Sequence, residues 1–411
     1  MQKIDIPKDI AREIVQAARA GTSPEKGLEY VIVGRLKETK AYVDAFDWVE
    51  RGGYKVKLIV GEFGSGKTTE LRNNRYLARG RGFLTMSAKF TPHMKLYSTS
   101  GASLALWKAL VEGMDPGLED VLDAFLDKAR AETPEGGDVL ATAGGLLGRV
   151  RGVNESDFRK VVLKYCEGGV SRKAAVQWLK GGYNRRNSAR EELGKDVQAI
   201  ISDSNWYSIL KCMVQFAVIA GFRGVAVYLD ETYSLYKIDD TRVRDKNYEM
   251  LHAIVSDNIP YCQLMFTGTP QSLEDRGKGL YSYAPLVSRL ETSTEEDEDR
   301  VDRYQTVNRI FPLKPKAILM LLVIVKNAYD ADYGREFPVT EQDVLSFVND
   351  YLGSTSLAKF LTARNALLRF TWIMNLMIDN PDLSFDECRR RSPVAPTRET
   401  TDSGQTRIKE L

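Results

Sequence analysis

The chain has 411 residues, of which 43% are hydrophobic, and its formal net charge is +2 at pH 7. This length can bury at least one large core and is sufficient for two domains. The near-neutral charge excludes a strongly basic field around the whole molecule. Nucleic-acid binding would therefore depend on a local patch of basic residues.

The composition also argues against several classes of protein. Residues 1–14 lack the apolar core of a signal peptide, and no uninterrupted apolar stretch reaches the roughly 18 residues that span a bilayer. We expect a cytoplasmic protein without membrane association. The cysteines are far apart and have only His93 and His252 as further ligands, which supports neither a disulfide framework nor a zinc site. They are Cys166, Cys212, Cys262 and Cys388.

The amino-terminal region shows two stretches of helical periodicity. Apolar residues at helical spacing predict one helix over Ile10 to Arg19 and another over Leu36 to Val49. Gly34 and Arg35 come directly before the second helix, and this segment resembles the one that lies over the adenine ring in AAA+ ATPases. An ordinary loop before a helix is the alternative.

The stretch from Val56 to Thr69, VKLIVGEFGSGKTT, reads as a buried strand, a glycine-rich turn and a helix start. It matches the phosphate-binding pattern G-x-x-x-x-G-K-[ST] at every fixed position. Glycines let backbone N–H groups face phosphate oxygens, the lysine neutralises the β and γ phosphates, and the threonine hydroxyl ligates Mg²⁺. The pattern predicts ATP and Mg²⁺ as ligands, against the alternative of a chance glycine-rich turn. The predicted nucleotide-binding residues of this loop are Gly61, Glu62, Phe63, Gly64, Ser65, Gly66, Lys67, Thr68 and Thr69.

A second strand is predicted over Gly82 to Ser87, followed by a helix over Ser100 to Glu112. From Asp115 to Gly221 the pattern is mostly helical and is interrupted by loops at 133–138, 148–152 and 181–190. Arginines in or beside these loops could contact a nucleic-acid backbone, although a solvated face is the commoner explanation. These arginines are Arg149, Arg151, Arg185, Arg186 and Arg190.

The stretch from Gly224 to Glu231, GVAVYLDE, is an apolar strand that ends in two carboxylates. In combination with the upstream phosphate-binding loop, it is typical of a Walker B strand followed by a catalytic acid. Asp230 would hold Mg²⁺ through water, and Glu231 would polarise the water that attacks the γ-phosphate. The region 115–221 must then be an insertion between the second and third strands.

Two further residues are predicted to complete the site. The strand over Gln263 to Thr269 contains Thr267, where a sensor residue would contact the γ-phosphate or the attacking water, although a threonine can also simply cap a strand. Arg289 follows one helix later, where an AAA+ subunit offers an arginine finger to its neighbour's nucleotide. We therefore expect a homo-oligomer with a shared site, against the alternative of a surface arginine. The acidic run from Glu295 to Asp299 is expected to be a solvated loop.

A fifth strand over Gln305 to Leu313 would complete an α/β fold, a P-loop AAA+ αβα core with a parallel sheet. A carboxyl-terminal helical lid is predicted next, with helices at 316–328, 340–351 and 357–378. Arg364 and Arg369 lie on the last of these, where one guanidinium could face the γ-phosphate. The predicted division is 1–114 for the amino-terminal segment and first part of the core, 115–221 for the helical insertion, 222–313 for the second part of the core, 314–388 for the lid and 389–411 for a flexible tail.

The chain resembles the ATP-binding proteins of bacterial BREX-type phage-defence systems, a branch similar to the origin-recognition-complex-like AAA+ ATPases. The resemblance implies an AAA+ core with a helical lid, ATP and Mg²⁺ as ligands, and work on DNA beside a helicase, a methyltransferase and other defence proteins. Ala363 stands where such families often carry a proline before the lid arginine. No winged-helix domain is expected after the lid. The resemblance rests on AREIVQAARAGTSPEKGLEYVIVGR, GEFGSGKT, QWLKGGY, IAGFRGVAVYLDE, FTGTPQSLED, GLYSY, SRL and TARNALLRF.

Two functions remain open at this point. In the first, ATP hydrolysis drives remodelling or loading of partners on DNA. In the second, the chain is a nucleotide-gated assembly switch with little turnover. Glu231 favours hydrolysis, because a binding module has no need of a carboxylate beside the Mg²⁺ ligand. A small-molecule kinase is disfavoured by the length of the chain and by its Asp-Glu pair.

Overall fold

The structure is a computed structural model that describes residues 4–291, 302, 304–353, 362–391, 399–400 and 406–407. The chain divides into two compact units. One, here called the sheet unit, comprises Lys37–Glu62 and Asn74–Ile310. The other, the helical unit, comprises Met1–Leu36, Phe63–Asn73 and Phe311–Leu411. This grouping differs from the predicted division, which kept residues 1–114 together.

The secondary structure of the described residues is mainly helical. The helices are α1 Lys8–Arg19, α2 Leu28–Val31, α3 Leu36–Val49, α4 Lys67–Gly80, α5 Ala102–Glu112, α6 Leu118–Glu132, α7 Val139–Leu147, α8 Glu155–Glu167, α9 Gly169–Leu179, α10 Arg186–Leu193, α11 Trp206–Ala220, α12 Thr241–Ser256, α13 Pro270–Glu274, α14 Ala284–Leu290, α15 Pro315–Tyr333, α16 Glu341–Gly353, α17 Ala363–Asp379 and α18 Phe385–Arg391, with 3₁₀ turns at Thr232–Leu235 and Leu280–Ser282. The strands are β1 Tyr54–Val60, β2 Leu84–Lys89, β3 Val225–Asp230, β4 Cys262–Gly268, β5 Val307–Arg309, β6 Glu399–Thr400 and β7 Thr406–Arg407. The helices predicted over 10–19 and 36–49 are confirmed as α1 and α3.

The sheet unit is built on five strands in the order β2-β3-β4-β1-β5, and all four neighbouring pairs are parallel. This arrangement confirms the predicted αβα fold of P-loop ATPases. The carboxyl ends of parallel strands lie at one edge of a sheet, where such folds place their ligands. The fifth strand is shorter than predicted, because it pairs only with Leu58–Val60 of β1 and because Pro312 lacks the N–H that a longer ladder needs.

The two faces of the sheet differ sharply in polarity. Val56, Leu58 and Val60 of β1 point to one face and belong to a large apolar core, which also takes in the insertion helices α6 to α11. Polar side chains occupy many of the alternate positions, which point to the other face. There Asn74 of α4 accepts hydrogen bonds from the Tyr228 hydroxyl at 2.7 Å and from the Gln263 side-chain amide at 2.8 Å. This buried cluster connects α4 to β3 and β4.

Lys57 of β1 is the most unusual side chain of the polar face. It is only 1% exposed, and its ammonium donates to the Gln305 carbonyl at 2.7 Å. Burial, together with the nearby charge of Lys55, lowers the pKa of Lys57 to about 7, although the carboxylate of Asp302 opposes this shift.

Because the pKa of an unfolded lysine is about 10.4, the unfolded chain binds more protons at Lys57 than the folded chain between pH 7 and about 10.4. The free energy of unfolding should therefore rise with pH across this window, by at most about 1.4 kcal/mol per pH unit from this residue. Lys57→Met should remove that slope when urea unfolding is compared at pH 7.5, 8.5 and 9.5. Lys40→Met, at an exposed lysine of α3, is the matched control and should keep the slope. Parallel pH curves for the wild type and Lys57→Met would contradict the prediction.

The helical unit has its own apolar core. Ala11, Ile14, Val15 and Ala18 of α1 pack into it with residues of α15, α16, α17 and α18. Arg19 at the end of α1 donates to Asn375 at 2.7 Å. The amino-terminal helix is therefore part of the same packed body as the carboxyl-terminal helices.

The carboxyl-terminal helices begin and end differently from the prediction. Residues 357–361 of the last predicted lid helix lie outside the described residues, and α17 begins after Thr362, which accepts a hydrogen bond from the Asn365 N–H at 3.2 Å. The predicted flexible tail is wrong for 389–391, because α18 continues to Arg391. Acidic residues in its first turn and arginines in its last turn match the helix dipole, and Arg389 pairs with Asp386. Beyond it, β6 and β7 pair in antiparallel fashion.

Two remaining predictions concern membrane spans and the acidic loop. None of the helices in the described residues combines the length and the apolar character that a membrane span requires. The predicted acidic loop at 295–299 lies outside the described residues.

Candidate functional site

The phosphate-binding loop connects β1, which ends at Val60, to α4, which begins at Lys67. Gly64 and Gly66 adopt positive φ angles of 80° and 100°, a region that favours glycine. A Cβ atom at Gly64 would come within 3.0 Å of the Thr362 side chain. A Cβ atom at Gly66 would meet no described atom within 4 Å. Gly64 thus permits a close approach to the start of α17, whereas Gly66 provides a backbone turn that faces open space.

The side chains of the loop suit an anionic ligand. Lys67 opens α4, where the N–H groups of the helix terminus add partial positive charge, and its ammonium lies 5.3 Å from the centre of the Phe63 ring. Thr68 and Thr69 follow in the first helical turn. The Ser65 hydroxyl is buried and has no hydrogen-bond partner among the described residues. A buried hydroxyl without a partner is costly, and a phosphate oxygen would satisfy it.

Arg35, which the sequence places near an adenine ring, lies beneath this loop. Its guanidinium donates to the Ser65 carbonyl at 3.1 Å and to the Phe311 carbonyl at 2.7 Å. Its Nε lies 3.4 Å from the carboxylate of Glu70. These contacts direct the side chain to the loop backbone. Gly34 before it has a φ of 70°, and a Cβ atom there would come within 2.9 Å of Ala317.

In the sheet unit, the predicted acidic pair at the end of β3 forms hydrogen bonds with Thr267 near the end of β4. The Thr267 hydroxyl donates to Asp230 Oδ1 at 2.7 Å and accepts from the Glu231 N–H at 2.7 Å. The Glu231 N–H also donates to Asp230 Oδ1, at 2.9 Å. The same sheet edge includes the start of the phosphate-binding loop, because the Gly61 N–H donates to the Gly268 carbonyl at 3.3 Å. The structure therefore brings Asp230, Glu231 and Thr267 together, and Gly61 and Glu62 follow β1 at that edge.

Glu231 has an uncommon backbone conformation and a charged partner. Its φ is 58°, in the left-handed region that costs a non-glycine residue about 1 kcal/mol or more. Its carboxylate, which is 35% exposed, forms an ion pair with the ammonium of Lys89 at 3.0 Å. Lys89 ends β2 and stands opposite Asp230 in the strand register. Lys89 was not among the predicted site residues, because a lysine at the end of a strand carries no local signal.

Similarity to known proteins identifies the family. A family model described as "BREX system ATP-binding protein BrxC/D" matches residues 6–392. The chain belongs to this family. The resemblance stated from the sequence is thereby confirmed, and so is ATP binding as the family's described property. No curated protein matches the sequence.

Solved structures add similarities of fold at low identity. One is the Walker-type ATPase of Pyrococcus abyssi, which is 12% identical over 88% of this chain and 71% of that chain, with a TM-score of 0.36. Another is the Orc1 protein of Aeropyrum pernix in complex with DNA, 13% identical over 86% of this chain and 63% of that one, with a TM-score of 0.35. The chain thus spans less than two thirds of that Orc1 protein. Neither similarity defines what this BrxC/D family member does.

Two predicted metal ligands of this BrxC/D family member are of a type that suits Mg²⁺. Thr68 offers a hydroxyl in the helical unit and Asp230 a carboxylate in the sheet unit, and both are hard oxygen ligands of the kind that Mg²⁺ takes together with waters and phosphate oxygens. In the described part of the chain there is no cluster of three or more His, Cys, Asp or Glu side chains that could hold a metal by itself.

The two predicted arginines of the site are exposed on separate units. Arg289 lies on α14 in the sheet unit, and Arg364 lies in the first turn of α17 in the helical unit. A Cβ atom at Gly21 would come 3.0 Å from Cγ of Arg364, so the stem of this arginine packs on the loop after α1. Their roles toward a nucleotide stay predictions. Among the insertion arginines, Arg149, Arg151, Arg185 and Arg186 are exposed.

Proposed function

We propose that this BREX family member hydrolyses ATP with Mg²⁺. The observation that supports this most strongly is the hydrogen-bonded group of Thr267, Asp230 and Glu231 at the sheet edge from which the phosphate-binding loop departs. Lys67 would neutralise the β and γ phosphates, and Thr68 and Asp230 would hold Mg²⁺, which stabilises the charge that develops on the phosphates. Glu231 would polarise the attacking water, and Thr267 would orient Asp230.

A specific observation also favours the alternative of a nucleotide-gated switch with little turnover. The carboxylate of Glu231 forms an ion pair with Lys89, and a carboxylate oxygen engaged in that pair is not available to contact the attacking water. Turnover would then require that this pair opens, for instance when a partner binds.

The biological role that we propose is to couple ATP to the assembly or remodelling of partners on DNA in an anti-phage defence system. The partners would be further copies of this chain, DNA, and defence proteins such as a helicase or a methyltransferase. The exposed insertion arginines are the proposed DNA contacts. Measurement of ATPase activity with and without single-stranded or duplex DNA, together with molecular mass in ATP, tests this role. Turnover that DNA leaves unchanged and a mass that ATP leaves unchanged would contradict it.

Removal of the Thr267 hydroxyl should impair hydrolysis. Thr267→Val removes the hydroxyl that donates to Asp230 Oδ1 and accepts from the Glu231 N–H. Thr267 is fully buried, so water does not replace these hydrogen bonds. We expect turnover to fall about ten- to a hundredfold, since lost hydrogen bonds to a charged group cost about 1.5–3 kcal/mol. ATP affinity without Mg²⁺ should change little. Thr267→Ser keeps the hydroxyl and should stay within a few-fold of the wild type. Equal rates for the Val and Ser variants would show that the hydroxyl is not needed.

If the site is shared between subunits, Arg289→Ala should keep the ATP affinity of a single subunit and lower turnover. A finger supplied in trans can be worth on the order of 10³ to 10⁵ in rate. Mixing this variant with Lys67→Ala should restore part of the activity, because some interfaces would pair an intact loop with an intact finger. Arg242→Ala, at an exposed arginine of α12, is the control and should behave like the wild type. Wild-type turnover of Arg289→Ala at every protein concentration would rule the shared site out.

A further inference from the structure

Arg35 joins three segments of the helical unit that are distant in sequence. Its side chain is 7% exposed, and one Nη donates both to the Ser65 carbonyl of the phosphate-binding loop and to the Phe311 carbonyl just before α15. Its Nε faces Glu70 of α4, whose side chain is 2% exposed. The guanidinium therefore holds the loop, the start of the loop's helix and the chain that leads into α15.

The buried contacts of Arg35 restrict the movement of the phosphate-binding loop. A buried guanidinium loses its hydration, and it is stable only when a carboxylate and hydrogen-bond acceptors replace that water. If the loop moved away from Arg35, the Ser65 carbonyl would lose a hydrogen bond from a charged donor in a buried place, which costs more than the loss of an exposed contact. The Ser65 backbone is thus confined to a narrow range of positions.

A second tie in the same unit links the amino-terminal segment to α4. Arg72, one turn beyond Lys67 and Thr68, bonds to the backbone carbonyl of Ser23 and lies 3.2 Å from its hydroxyl. The loop that carries Ser23 also includes Gly21, which packs against Arg364 and Leu368 of α17. Residues 1–36 thus contact both the phosphate-binding helix and the helix that carries Arg364.

We propose that Arg35 is a positioning residue for phosphate binding, which acts through the backbone of Ser65 and through Glu70. By its bond to Phe311 it makes the shape of the phosphate-binding loop dependent on the segment that begins the carboxyl-terminal helices. This inference rests on the phosphate-binding role of the loop. It differs from the adenine-facing role that the sequence suggested for Arg35. A residue that positions the phosphate-binding loop should affect the affinity for every ligand with a triphosphate, whichever base the ligand carries.

The test compares three ligands in the presence of Mg²⁺: ATP, GTP and inorganic tripolyphosphate. Binding to the full chain is measured by titration calorimetry for the wild type, Arg35→Ala and Arg35→Lys. We expect Arg35→Ala to weaken all three ligands by a similar factor, about ten- to a hundredfold. Arg35→Lys, which keeps the charge but not the fork of donors, should be intermediate. Lys37→Ala, at an exposed neighbour, should bind all three ligands like the wild type.

Glu70→Gln provides a second route to the same answer if Arg35→Ala does not fold, because it keeps the shape and removes the charge that holds Arg35. It should weaken the three ligands together, by a smaller factor. Weakened ATP binding with unchanged tripolyphosphate binding would overturn the proposal in favour of contact with the base. Unchanged affinities in both variants would overturn it as well. If the wild type binds none of the ligands, the proposed nucleotide site itself is wrong. That result differs from the one in which the wild type and the variants bind the ligands equally well, which contradicts only the role of Arg35.

Discussion

Lys67→Ala should abolish measurable ATP binding. The substitution removes the one lysine that the motif directs to the β and γ phosphates, and charge-assisted hydrogen bonds to phosphate are among the strongest polar contacts in proteins. At about 1.5–3 kcal/mol for each such bond, two bonds correspond to a loss of at least about a hundredfold in affinity. The cation–π contact with Phe63 contributes little to folding at an exposed ring, so the variant should keep the fold.

Titration calorimetry with ATP and Mg²⁺ measures the loss, and circular dichroism with thermal unfolding shows whether the variant is folded. Lys40→Ala, an exposed lysine of α3, is the matched control and should bind like the wild type. A folded Lys67→Ala variant with wild-type ATP affinity would remove the basis for the phosphate-binding loop.

Glu231→Gln should keep ATP and Mg²⁺ bound and slow hydrolysis by roughly two orders of magnitude or more, as expected when a general base is lost. Glutamine has the same shape, and the hydrogen bonds from the Glu231 N–H to Thr267 and Asp230 are made by the backbone, so the metal-binding part of the site should survive. In this variant the contact between residue 231 and Lys89 would no longer be an ion pair.

Single-turnover hydrolysis and ATP affinity, measured on the same preparation, distinguish the two steps. Glu249→Gln is a suitable control, because Glu249 is an exposed glutamate that pairs with a lysine, Lys246, at 2.9 Å. It should hydrolyse ATP at the wild-type rate. If Glu231→Gln also does so, the catalytic base lies elsewhere.

The sequence predicted the parts of the site whose residues are adjacent in the chain. The glycine-rich turn, the lysine and the threonine form one local pattern, and the Asp-Glu pair follows its strand directly, so both could be placed without a structure. The strand positions and the family could also be predicted, because apolar runs and short motifs recur in order along the chain. These features depend on local residue types.

What could not be predicted depends on contacts between distant residues. Arg35 reaches a carbonyl 276 residues away, and the partner of Glu231 is a lysine at the end of another strand. No periodicity or spacing encodes such pairs. The position of α1 among the carboxyl-terminal helices was missed for the same reason, since its apolar face predicts that it packs but not on what.

The packing of α1 on the carboxyl-terminal helices has a consequence for how the chain is made. Arg19 and its partner Asn375 are 356 residues apart, so the ribosome releases α1 long before α15 and α17 exist. At about 5–20 residues per second, that delay is on the order of tens of seconds. During it, the face formed by Ala11, Ile14, Val15 and Ala18 lacks its partners on α15, α16, α17 and α18. The helical unit can therefore close only after α17 has been synthesised, which makes α1 an early product of translation that is among the last elements to reach its final environment.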